Sequence, residues 1–85
     1  MTILYYFLGE YMKFERLYEL REENNIKQIS LADELNIKQG TYSDYENGVI
    51  NVPVEAFIKL AKYYNTSADY LLGLTDQKEP YPRKK

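Results

Sequence analysis

Apolar residues recur at helical spacing in five short stretches of this chain, each closed by Asn or Gly. From about Lys13 to Asn24, Phe14, Leu17, Tyr18 and Leu20 supply an apolar side, and Glu15–Glu19, Arg16–Leu20 and Leu17–Arg21 are i, i+4 neighbours. This predicts a helix ended by Asn24-Asn25, after which Ile26 plugs the core. Between Gln28 and Gly48 the apolar positions are Leu31, Leu35, Ile37, Tyr42 and Tyr45, with Ala32 among them. The spacing predicts one helix over roughly Gln28 to Leu35 and a second over about Gln39 to Asn47, packed at a steep angle across a tight turn. Ala32 is small where the helices cross, and Asn36 tolerates the left-handed backbone such a turn needs. Tyr42, Tyr45 and Glu46 face inward, and Gly48 closes the second helix. Pro53 then suits a first helical turn, with Asn51 or Val52 as the cap region. Phe57, Leu60, Ala61 and Tyr64 give the inward stripe of a helix over Val54 to Tyr64. Ser67 is the N-cap of a last short helix closed by Gly73. Its Tyr70, Leu71, Leu72 and Leu74 are too apolar for a lone exposed turn, so part packs on the core and part is free to meet another subunit.

The chain divides into an apolar stretch over residues 1–11, a helical domain over 12–75 and a polar, basic tail over 76–85 that is expected to be extended or disordered. Two accounts of the first stretch stay open. It either comes from an upstream start codon and carries no function, or forms an arm that packs on a partner subunit. Eighty-five residues make one domain with one modest core. With no cysteine and no histidine, disulfides are excluded, the usual zinc ligands are missing and most nucleophile–base pairs are impossible. Carboxylates and lysines lie on helix exteriors with no implied cleft, so neither an enzyme nor a cofactor or small-molecule ligand is expected. No run approaches the about 18 apolar residues of a membrane span, and Thr2 to Leu8 lacks the basic leader of a signal peptide. A cytoplasmic protein with no membrane contact follows as the expectation.

The two helices from Gln28 to Gly48 form a helix-turn-helix pattern, whose second helix commonly lies in the major groove of DNA. The run RLYELREENNIKQISLADELNIKQGTYSDYENG, followed by PVEAFIKLAKYY and SADYLLGL, resembles the Cro/C1-type helix-turn-helix domains, the lambda-repressor-like or Xre family. The resemblance covers about Phe14 to Thr75. It implies an all-α, compact bundle of five helices, with helices 2 and 3 as the helix-turn-helix, that binds double-stranded operator DNA as a symmetric homodimer and acts as a transcriptional regulator. Repression is expected over activation, because a lone small domain can block polymerase by occupancy. The resemblance also implies the site residues. Gln28 bonds a phosphate and braces the first residues of the recognition helix; Lys38, Gln39, Gly40, Ser43 and Asp44 occupy base-reading positions, with Lys27 and Thr41 beside them; Asn47 reaches the DNA backbone. Arg21 and Glu46 match a buried ion pair, and Tyr70, Leu71 and Leu74 mark the expected dimer contact.

The residues also argue for themselves. A glutamine near the start of a recognition helix is either a solvated helix residue or a bidentate partner for adenine N6 and N7. Lys38 at an N-cap opposes the helix dipole and offers no cap acceptor, and Gly40 costs roughly 1 kcal/mol against Ala. Two local rules broken side by side point to a site. Asp44 either accepts from cytosine N4 or is a solubilising charge that repels phosphate. Net charge is −2, and the loop Val49-Ile50-Asn51 lacks the Lys or Arg of many relatives. These features support a rival reading, a helix-turn-helix fold retained for protein contact as an antitoxin-like or repressor-antagonist module.

Overall fold

The computed structural model describes residues 14–80. The apolar stretch over residues 1–11 and the basic terminus Arg83 to Lys85 lie outside them. The described residues fold into five helices: α1 (Glu15–Glu23), α2 (Gln28–Leu35), α3 (Gln39–Asn47), α4 (Val54–Tyr64) and α5 (Ala68–Leu71).

α1 begins at Glu15 because Phe14 is still extended, at φ −93° and ψ 92°. That backbone sets the Phe14 ring edge-on against Phe57, with centroids 5.1 Å apart. Leu17 and Leu20 are the buried residues of α1. Asn24 ends the helix, and Asn25 turns left-handed at φ 55° to release the chain toward Ile26.

α2 and α3 match the predicted bounds. Leu31 and Ala32 have no exposed surface, in keeping with their place on the inner face of α2. Asn36 takes the left-handed conformation at φ 59°, and its neighbour Ile37 donates back to the Ala32 carbonyl at 2.9 Å. Gly48 does the same for α3 at φ 72°. One boundary differs: Pro53 is not in the first turn of α4 but is itself the N-cap, extended at ψ 151°. Its carbonyl accepts from Ala56 at 3.0 Å and Phe57 at 3.3 Å, so it starts the hydrogen-bond ladder from outside the helix.

The core is built from Leu17, Leu31, Tyr42, Leu60 and Leu71, all fully buried, with Tyr45, Phe57 and Tyr70 around them. Two of the three residues expected at the dimer contact lie inside the protomer. Tyr70 is 7% exposed and Leu71 0%, because both fall on the face of α5 that packs into its own bundle, while Ala68 and Asp69 stay partly exposed. Of the three residues, only Leu74, 65% exposed, presents apolar surface. Ser67 caps α5 as expected, accepting from the Tyr70 N–H at 3.0 Å.

The chain beyond α5 is tied to α1. Arg16 Nη1 donates to the carbonyls of Tyr70 and Thr75, both at 3.0 Å, and Nη2 reaches Asp76 at 2.7 Å. The same guanidinium lies 3.9 Å over the Tyr70 ring. Further along, Lys78 pairs with Glu23 at 3.1 Å, and the buried Thr66 hydroxyl donates to the Lys78 carbonyl. Asp76 and Lys78, the start of the segment expected to hang free, are thus anchored.

Candidate nucleic-acid interface

α3 is held by its inner face and presents its outer one. Tyr42, Tyr45 and Glu46 are buried, whereas Lys38, Gln39, Gly40 and Asn47 are exposed and Thr41, Ser43 and Asp44 are half-buried. Lys27 is exposed and Gln28 half-buried at the start of α2. Both helices begin on an extended lysine, Lys27 at ψ 150° and Lys38 at ψ 151°, and neither receives a side-chain cap bond. Two helix starts with uncapped N–H groups and an adjacent cation favour an anion such as a phosphate. On the outer face, Asn47 Nδ2 donates to Ser43 Oγ at 3.3 Å.

The orientation of α3 is fixed from beneath. Arg21 Nε donates to Glu46 Oε2 at 2.7 Å and Nη2 to Oε1 at 3.2 Å, a two-pronged pair between the last turn of α1 and the end of α3. Arg21 Nη1 also donates to the Ile26 carbonyl at 3.0 Å, which ties in the turn before α2. The hydrogen bond to Glu46 holds the Arg21 pKa above its usual value. Gln28 completes the network: its Nε2 donates to Glu46 Oε1 at 3.3 Å. The resemblance implied that Gln28 braces the first residues of α3. Within the domain its amide engages Glu46, near the end of that helix.

Two phenols lie in this layer. The hydroxyls of Tyr42 and Tyr64 are buried; that of Tyr42 lies beside the Glu46 carboxylate, and that of Tyr64 has no hydrogen-bond partner among the described residues. Burial raises both pKa values, and the Glu46 charge raises that of Tyr42 further. Both therefore stay protonated in the fold where an exposed phenol, near 10, ionises. Above pH 10 the unfolded chain releases protons the fold retains, so stability present below that pH is lost as pH rises. The loss should approach about 1.4 kcal/mol per pH unit for each tyrosine. Tyr42→Phe removes one of these contributions. Urea unfolding at several alkaline pH values should show a shallower decline for the variant than for wild type.

Sequence reading missed the acidic boundary of this face. A groove of about 410 Å³ beside the end of α3 is lined by Glu15, Tyr18, Glu19, Glu46 and Asn47. The i, i+4 spacing of Glu15 and Glu19 on the exposed side of α1 was the signal that could have found it. The anion-favouring end of α3 is therefore its N-terminus, and its C-terminus borders carboxylates.

Known proteins agree with this geometry. The helix-turn-helix family model matches residues 17–71. An uncharacterised HTH-type transcriptional regulator of Bacillus subtilis, YobD, is 34% identical over 74 residues, which covers 87% of this chain and 66% of the relative. The HTH-type transcriptional regulator AnsR of the same organism is 39% identical over 72 residues, 85% of this chain and 62% of its own length. A crystal structure of a transcriptional regulator from Listeria innocua superposes with a TM-score of 0.70 at 30% identity, over 79% of this chain and 63% of that one. The chain thus spans under two thirds of the length of these relatives. Its matched core, left-handed Asn36 turn and outward α3 make it a member of the Cro/C1-type helix-turn-helix family.

Proposed function

We propose that this chain binds double-stranded DNA through α3 and regulates transcription in the cytoplasm, as a repressor that occupies a palindromic operator as a homodimer. The carrying observation is the outer face of α3. Lys38, Gln39 and Gly40 stand exposed at an uncapped helix start, and the Arg21–Glu46–Gln28 network fixes the helix from behind. The names of the relatives support regulation, and among the described residues no group of acidic side chains is placed to hold a metal ion. Nor is any helix there long and apolar enough to cross a membrane. Occupying an operator is enough to block polymerase, which favours repression over activation.

Selection of bound sequences from a random DNA pool tests the reading. A two-fold-symmetric motif with half-sites about 34 Å apart is the expected result. A pool with no enriched motif overturns it in favour of the protein-contact module, toward which the groove acids Glu15 and Glu19 and the half-buried Asp44 would count.

Within this reading, Gln39→Ala should relax base preference at one position of each half-site and cost roughly 1–3 kcal/mol for each bidentate base pairing it removes. Gln28→Ala should weaken binding to all duplexes alike, since its partner in the complex is a phosphate. Titrations of each variant against the selected and a scrambled duplex separate the two effects. Equal affinity and an unchanged motif for Gln39→Ala would place the base-reading end of α3 elsewhere.

A further inference from the structure

Gly40 is a feature of α3 that the fold itself does not explain. Glycine is needed where φ is positive, where neighbouring atoms leave no room for a Cβ, or where something outside the chain approaches the backbone. The first reason is absent: the positive-φ glycines are Gly48 and Gly73, and Gly40 has an ordinary helical backbone. The second is absent too, since a Cβ built at Gly40 meets no heavy atom within 4 Å. The fold therefore admits alanine there without strain and gains from it, because glycine inside a helix is unfavourable.

The third reason is left, and it rests on the reading of α3 as the DNA-facing helix. Gly40 is exposed on the first turn of α3, next to the exposed Gln39. Its bare Cα is a small carbon surface with no side-chain donor or acceptor. Among the groups a base pair shows in the major groove, the C5-methyl of thymine is the one bulky apolar group, where cytosine shows only a C5 hydrogen. We propose that Gly40 is a specificity-determining residue that seats a thymine methyl group, with Gln39 reading a neighbouring base by hydrogen bonds.

The test is a two-by-two exchange of methyl groups between protein and DNA. Wild-type protein and Gly40→Ala are titrated against the selected duplex and against duplexes in which each half-site thymine in turn is replaced by uracil. At one thymine, wild type should lose about four-fold in affinity on the uracil duplex, the worth of one buried methyl group. Gly40→Ala should melt a few degrees higher than wild type. It should bind the thymine duplex about ten-fold more weakly, as for a mismatched base pair. On the uracil duplex the order should reverse, because the added Cβ fills the space the DNA methyl has left. An alanine variant that binds the selected duplex as wild type does would overturn the proposal. So would a variant that loses equally on thymine, uracil and scrambled duplexes, a result that would put a phosphate at Gly40. If wild type selects no sequence, the DNA-binding reading itself fails, and the proposal falls with it.

Discussion

Glu46→Ala is expected to destabilise the domain by about 3–5 kcal/mol, the cost of breaking a buried ion pair from one side. The Glu46 side chain is 4% exposed and that of Arg21 12%, so the stranded guanidinium has little water to turn to. It would keep the Ile26 carbonyl at 3.0 Å and a 3.4 Å approach to Glu22, neither of which replaces a two-pronged carboxylate. Gln28 would lose its acceptor at the same time. Domains of this size are stable by about 5–15 kcal/mol in total, so the variant should lose a large fraction of its folding free energy. Urea unfolding of wild type, Glu46→Ala, Arg21→Met and the double variant Arg21→Met/Glu46→Leu would measure this. The double variant should recover most of the loss, since apolar side chains of similar volume often replace a buried pair at no net cost. A single-variant cost under about 1 kcal/mol would mean the pair is not what orients α3. Removing the carboxylate should also lower the Tyr42 pKa, since the Glu46 charge is among the causes of its rise. The alkaline loss of stability would then be smaller in this background.

The helix-turn-helix was legible because its signals are local. Asn36 and Gly48 announce left-handed backbone, and Leu31, Ala32, Leu35, Tyr42 and Tyr45 fix the inner faces by spacing alone. The links missed are those whose partners lie far along the chain. Arg16 reads as one more exposed helix cation, yet its acceptors are backbone carbonyls 54 and 59 residues away, and a carbonyl leaves no mark in composition. The anchoring of Asp76 and Lys78 was hidden for the same reason. For Gln28 the resemblance gives the position but not its bond to the buried Glu46 carboxylate, which lies 18 residues along the chain. Pro53 failed at finer scale. Its φ of −64° suits both the N-cap and the first turn, and only ψ separates them.

The second large effect concerns α5, where a surplus of leucine reads equally well as core or as interface. Leu71→Ala should cost about 2–5 kcal/mol, as large-to-small changes at fully buried sites do. The loss should not depend on protein concentration, because Leu71 belongs to its own protomer and is 0% exposed. Leu74 should behave in the opposite way. At 65% exposure it contributes little to one protomer's core, so Leu74→Asp should leave the unfolding of a dilute sample nearly unchanged. If this end of the bundle forms the two-fold contact of the proposed homodimer, the same variant should shift sedimentation toward the monomer. DNA affinity should fall with it, since one recognition helix reads only a few base pairs. A chain begun at Met12 completes the comparison and should remain associated. Should it turn monomeric while Leu74→Asp does not, the contact belongs to residues 1–11 and the last helix serves the fold alone.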